Sequence, residues 1–293
     1  MSIAILLAVG KLEADWRRHH SYSDHLELYQ SNDLTELIRP VYDDYSEDGD
    51  RPTFELRRCF RKPLRHVASR LHLLGITLES CQNEFEELVS MIGGLADSES
   101  NLFAELFEKL RQVDVLHVSD QYQNDFDLGE FFAEEIAPRL KCSGQSHLRG
   151  SGEIFENLSA HAVLWMLAQN VTNLDLPVIC DLDESDFPDD TLQSSSDSTV
   201  SRSQRFLIVT EGSSDAYVLK KSLFLRRHEI SDFFYFVDVD AGFPFGGTGN
   251  LHRFCEGLAR INLLNNTVII YGPIWVSSGF SRSRRASEGV DAG

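Results

Sequence analysis

No two of the five cysteines, Cys59, Cys81, Cys142, Cys180 and Cys255, stand in a Cys-x-x-Cys spacing, so the chain signals neither a zinc site nor a disulfide framework. A reducing cytoplasm is the simplest setting for thiols so scattered. Long apolar runs are missing too: nothing approaches the roughly 18 consecutive apolar residues of a membrane-spanning helix. Ile3 to Val9 is apolar and bounded by Gly10, but no basic segment precedes it and no small-residue cleavage pattern follows. It reads as a buried strand, not a signal peptide. Cations are scarce, with 27 Lys and Arg against 46 Asp and Glu and a formal net charge of -19. Such a surface repels itself and disfavours nonspecific adhesion to nucleic acid or anionic membrane, while leaving room for a local basic site.

What is present suffices for two domains. A chain of 293 residues, 42% apolar, buries at least one full core, and domains run to roughly 100–200 residues each. The segment 16–25, WRRHHSYSDH, carries His19, His20 and His25. Imidazoles suit metal or acid–base work, but without spaced Cys or carboxylate partners the segment reads as an exposed turn. After an acidic loop over 41–50, the spacing predicts a helix over 53–74 holding Arg57, Arg58, Arg61, Lys62, Arg65 and Arg70. Two readings stand side by side: a positive stripe for phosphates, or a basic helix paired internally with the acidic loops around it.

Arg61 to His66 and Arg65 to His72 each fit an Arg, four to six residues, then His. That spacing resembles the motif of HEPN-type ribonucleases, in which Arg61 and His66 would hold charge and move protons. Pro63 stands between those two partners and interrupts a helix. That helix is expected to end at Gly75, and further helices are expected through 81–95, over 101–112, over 130–140 and over 154–170. The first 180 residues thus read as mostly helical with a small strand component. Residues 181–204 turn abruptly to Asp, Ser and Pro and read as a solvated acidic linker, its carboxylates Asp181, Asp183, Glu184 and Asp186 lacking the spacing of a calcium loop.

Beyond the linker the pattern becomes strand 206–209, helix 216–226, strand 233–239, helix 250–261, strand 267–271. A β-α-β-α-β run implies a parallel sheet with right-handed crossovers, and ligands bind beyond the carboxyl ends of such strands. Glu211 lies at such an end and Asp215 opens the helix beside it.

The stretch FLIV followed by TEGSSD, 206–215, resembles the first motif of a Toprim domain, the metal-binding fold of topoisomerases, primases and OLD-type nucleases. The opening VGKLEADW, together with RLHLLGITLESCQNEFEEL, is similar to the HEPN/Toprim-associated amino-terminal domain of bacterial proteins. The resemblance implies a helical domain over 1–180, a linker over 181–204 and a Toprim-like domain over 205–275. It also implies a glutamate after the first strand and an Asp-x-Asp after the third, together holding Mg2+ for phosphoryl transfer. Here the third strand runs into Gly272-Pro-Ile-Trp275 without those aspartates, so the Toprim-like part reads as incomplete and 276–293 as a disordered tail.

An Asp-x-Asp does occur as Asp238-Val-Asp240, after the second strand, where parallel pairing would bring it toward Glu211. The candidate metal set is therefore Glu211, Asp215, Asp238 and Asp240. The candidate nucleic-acid contacts are Arg57, Arg58, Arg61, Lys62 and Arg65. The glycine-rich 242–250 precedes a helix but lacks the Gly-Lys-Ser/Thr ending of a phosphate-cradling loop. Two functions follow from the sequence: a Mg2+-dependent, nuclease-like protein acting on nucleic acid, or a catalytically incomplete interaction protein with a protein partner or second copy of itself.

Overall fold

The computed structural model describes residues 2–3, 5–16, 25–43, 53–92, 102–119, 128–136, 157–182, 199–237, 248–260 and 266–270. The chain divides into two compact units. The first comprises Met1–Arg205 with Arg227–Phe234; the second comprises Phe206–Arg226 with Tyr235–Gly293. The expected disordered tail over 276–293 lies outside the described residues, as does most of the expected acidic linker.

In the first unit the strands β1 (Ser2–Ile3), β2 (Ile5–Val9), β3 (Leu12–Trp16), β4 (Leu34–Asp43), β5 (Thr53–Pro63) and β6 (Pro177–Asp181) form one sheet. Its order is β1-β4-β5-β6-β2-β3, and every pairing is antiparallel. β1 and β2 are one residue apart in sequence, yet β1 pairs with β4 and β2 with β6, which flank β5 on opposite sides. Strands so close in sequence can make both pairings only if the sheet curves back toward itself.

The expected helix over 53–74 needs correction. Residues 53–63 are strand β5, and the helix α1 covers only Leu64–Leu73. The physical reason is visible in the alternation: Phe60 is buried in the core while Arg61 is exposed. β5 is central, bonded to β4 and β6 at once, so pairing outweighs the helical preference of its Arg and Leu residues. Pro63 holds Lys62 out of the helical region and sits at φ -61, ψ 141 as the cap where α1 begins. The orphan amides of Leu64 and Arg65 donate to the carbonyls of Leu176 and Leu174, both at 2.9 Å.

α1 ends as the sequence predicts. Gly75 takes φ +87, Ile76 N–H donates to Leu71 O at 3.0 Å and Gly75 N–H to His72 O at 3.2 Å, which satisfies the last carbonyls in the double-bonded glycine stop. Thr77 and Ser80 then cap α2 (Leu78–Ile92) reciprocally: Ser80 N–H donates to Thr77 Oγ1 and Thr77 N–H to Ser80 Oγ. α3 (Leu102–Leu110), α4 (Val115–Ser119), α5 (Leu128–Phe131), a π-helical turn Phe132–Ile136 and α6 (Ala160–Leu167) complete the helices of this unit. Their apolar faces join one core with Leu7, Val9, Leu12, Phe60 and Val178 from the sheet. The region is thus a sheet with helices packed on it, richer in strand than the sequence pattern suggested.

Asp181, expected in the solvated linker, is instead the last residue of β6 and is buried. It accepts a hydrogen bond from Arg39 Nε at 3.1 Å across β5. Both charges leave water only because each is the other's partner.

The 3-10 turn His228–Phe233 belongs by its contacts to the first unit. Arg70 of α1 is fully buried, and all five of its N–H donors are used. Nη1 and Nη2 meet Asp232 Oδ1 and Oδ2 at 2.7 and 2.9 Å. The remaining bonds go to the carbonyls of Glu27, Tyr29 and Glu229, at 2.8, 2.7 and 2.8 Å. The guanidinium carbon lies 4.7 Å from the centre of the Phe233 ring.

In the second unit β7 (Phe206–Thr210) is the centre of a three-stranded sheet of order β8-β7-β9, with β8 at Phe234–Val237 and β9 at Thr267–Ile270. β7 and β9 are parallel, Leu207 opposite Thr267 and Thr210 opposite Ile270. Helices α7 (Ser213–Arg226) and α8 (Thr248–Arg260) connect the strands, as the β-α-β-α-β pattern requires. Val209, Val237, Leu251 and Cys255 form the core.

Removing Asp232 leaves the Arg70 charge buried without its counterion, a loss on the order of 3–5 kcal/mol. Asp232→Ala should lower the urea midpoint accordingly, and Arg70→Met with Asp232→Leu should recover only part of the loss, because the carbonyls of Glu27, Tyr29 and Glu229 then lose their donor. Equal stability of Asp232→Ala and wild type would contradict this.

Candidate functional site

Glu211 leaves the carboxyl end of β7, the central strand, directly before the helix α7. The local turn is tied by Thr210 Oγ1 donating to Gly212 O at 2.8 Å and by Ala216 N–H donating to the same carbonyl at 3.2 Å. Glu211 and Asp215 are half-buried. Asp215 lies in the first turn of α7, where the helix dipole favours negative charge. Its Oδ2 folds back over the turn, 3.7 Å from where a side-chain carbon on Gly212 would stand. That is ordinary contact, so steric crowding alone does not require glycine there.

Glu211 and Asp215 thus share one strand–turn–helix junction. Asp238 and Asp240 lie outside the described residues; Asp238 follows in sequence on Val237, the last residue of β8, which neighbours β7. Oxygen-only donors of this kind suit a hard cation such as Mg2+. Among the described residues, no group of three or more His, Cys, Asp and Glu is arranged to hold a metal ion.

The basic candidates do not form one helical stripe, because Arg57, Arg58, Arg61 and Lys62 lie on β5 and Arg65 on α1. Lys62 is buried, 2.6 Å from Asp33 Oδ2, and donates to Gln30 Oε1 at 3.1 Å. Burial holds its pKa below the ordinary lysine value, against the pull of Asp33. Arg57 is half-buried, with Nη1 enclosed and without a hydrogen-bond partner. Arg58 is half-buried, and Arg61 and Arg65 are exposed; Arg65 pairs with Asp175.

Arg61 and His66 sit on different elements, the strand and the helix, not on one helical face. His66 is half-buried, and burial holds its pKa below the ordinary histidine value, with Glu229 pulling the other way and Lys62 adding to the fall.

A constellation that sequence spacing missed lies elsewhere in the first unit. His25 Nε2 is 2.7 Å from Asp15 Oδ2, and His25 Nδ1 is 3.3 Å from His161 Nε2. His25 carries the signal of the histidine-rich stretch, but its partner is 136 residues away in α6, beyond the reach of any local motif. His161 is held down to about 4, first by burial and then by the neighbouring His25. His19 and His20 lie outside the described residues.

The chain therefore joins an antiparallel sheet clothed in helices to a smaller unit with a carboxylate at the end of its central strand. The model of the HEPN/Toprim N-terminal domain 1 family matches residues 1–185, more than half of the chain, and the chain belongs to that family. No curated protein and no solved structure matches it. No helix among the described residues is long and apolar enough to cross a membrane.

A histidine whose folded pKa is depressed binds fewer protons folded than unfolded at pH values between the two pKa values. Its contribution is fully present above the ordinary value near 6.5 and is lost as pH falls through that value toward the folded one. Replacing the titratable ring in His66→Gln should therefore flatten the fall in stability between about pH 7 and 5, read from urea midpoints across that range. An unchanged slope would show that His66 is not so held.

Proposed function

We propose that the protein processes nucleic acid as a Mg2+-dependent, nuclease-like member of its family. One observation carries this reading: Glu211 stands where the central β7 ends, beside a strand that runs parallel to it. In this reading Glu211 and Asp215, with Asp238 and Asp240, would hold Mg2+. The bound ion would supply Lewis-acid stabilisation of a phosphoryl oxygen. The chain's own part is to present hard oxygen donors at the strand end and to keep the turn fixed through Thr210 and Gly212. Arg61 and Arg65, both exposed, would position a phosphate backbone, with Arg57 and Arg58 alongside. His66, its pKa lowered by burial, would serve as an acid–base group on the ribonuclease reading.

A second reading has an observation of its own. Lys62 and Arg70, two of the six cations between residues 57 and 70, are committed to buried ion pairs with Asp33 and Asp232. Cations so used hold the fold together, as expected of a catalytically incomplete interaction protein whose partner is another protein or a second copy.

Incubation with labelled single- and double-stranded DNA and RNA, in Mg2+ or Mn2+, separates the two. The nuclease reading expects cleavage that falls by about a hundredfold in Glu211→Gln, the scale of removing one group that stabilises charge in the transition state. His66→Ala losing activity while Glu211→Gln keeps it would move the chemistry to the ribonuclease motif. Absence of cleavage on all four substrates, in protein shown to be folded, would favour the interaction reading.

A further inference from the structure

We propose that two copies of this chain join along the outer edge of β4, strand against antiparallel strand, about a two-fold axis at Ile38. Neither reading of function is needed for it: the contact lies wholly in the first unit, and its readout is oligomeric state, not cleavage.

Which backbone groups of β4 face outward follows from β5. Leu182 N–H donates to Arg58 O at 3.0 Å, so Arg58 turns its backbone N–H and C=O toward β6 and away from β4. Alternation then gives the β4 bonds to Arg57 with Leu37 and to Cys59 with Thr35, and leaves Leu34, Glu36, Ile38 and Pro40 facing away from β5. The Leu34 amide is spent on Ser31 O in the turn before the strand. On that outer side β1 pairs only with Tyr42 and Asp43. Among the described residues, no strand meets the N–H and C=O of Glu36 and Ile38 or the C=O of Pro40. An unpaired row of this kind is a template for another strand.

The side chains beside this edge are apolar and in water. Ile38 is 70% exposed, Leu56 directly opposite it on β5 is 67% exposed, and Phe54 on the same face of β5 is equally so. Four residues along that face Phe60 is buried in the core, so the apolar side of β5 runs on past its cover. Self-complementarity selects a second copy as the occupant. With the axis at Ile38, each Ile38 N–H donates to the other copy's Ile38 O and each Glu36 N–H to the other copy's Pro40 O. Both free outward donors are then used, and none is asked of Pro40, which has no N–H. Leu56, Ile38 and their two counterparts form one apolar row across four strands. Glu36 has Arg58 opposite it on β5, and the axis sets no like charges face to face. An axis at Glu36 would set two carboxylates side by side, and one at Leu37 would set Glu36 against Ile38.

Sedimentation equilibrium of the full chain over a range of concentrations should show monomers in exchange with dimers. The dimer should tighten as NaCl is added, because salt screens the repulsion between two chains of net charge -19 and leaves an apolar row untouched. Ile38→Lys, which brings two ammonium groups together at the axis, should weaken the dimer by about a hundredfold. Val171→Lys, at a valine 77% exposed on the turn Val171–Asn173, should leave it unchanged. Under mild oxidation Ile38→Cys should close a disulfide between copies, since the Cα atoms of a bonded antiparallel pair stand about 5.5 Å apart, within disulfide reach. Leu37→Cys, which would face Arg39 of the second copy, should cross-link far more slowly. A monomer at every concentration, as expected if the edge serves a strand of some other protein, would overturn the proposal. So would undiminished dimerisation of folded Ile38→Lys, or cross-linking of Leu37→Cys as fast as Ile38→Cys.

Discussion

The first unit depends on the burial of a single guanidinium. Arg70 can be removed from water only because every N–H it owns is met, two by the Asp232 carboxylate and three by backbone carbonyls. Those carbonyls belong to Glu27, Tyr29 and Glu229, so one side chain fixes the loop before β4 and the turn His228–Phe233 together. The network extends outward: Asp232 Oδ1 also accepts from Gln30 Nε2 at 3.0 Å, and Gln30 in turn accepts from Lys62. Buried polar networks are stable when complete and costly when one member is missing. A turn that lies in sequence between α7 and β8 is thereby made part of the unit that holds α1.

The same economy explains why composition misled about the basic residues. In a chain of net charge -19, cations clustered between residues 57 and 70 stand out as a phosphate site. The fold uses two of them as internal counterions and spreads the rest over a strand and a helix. Only Arg61 and Arg65 keep the exposure that recognition of a polyanion asks for.

Local chemistry was legible in the sequence; long-range pairing was not. Gly75 announced the end of α1 and Glu211 the end of β7, because a left-handed turn residue and a short apolar run with a polar stop are local signals. The β-α-β-α-β order of the second unit was legible for the same reason. β5 was not, since its Arg and Lys residues disguise a period of two and its stability comes from β4 and β6 on either side. Asp181 looked like linker because its partner Arg39 lies 142 residues away. His25 drew notice, but Asp15 and His161 converge on it only after the sheet and α6 are assembled.

Native-state hydrogen exchange of the Ile230 amide, which donates to Arg227 O at 3.2 Å, tests whether the Arg70 seat governs the turn. If it does, Ile230 and the Leu74 amide at the end of α1 open with the same free energy. Both should then fall together when the core is weakened by Leu164→Ala, a change worth about 2–5 kcal/mol at a fully buried leucine. Exchange of Ile230 at a free energy well below that of Leu74, unmoved by Leu164→Ala, would contradict the account.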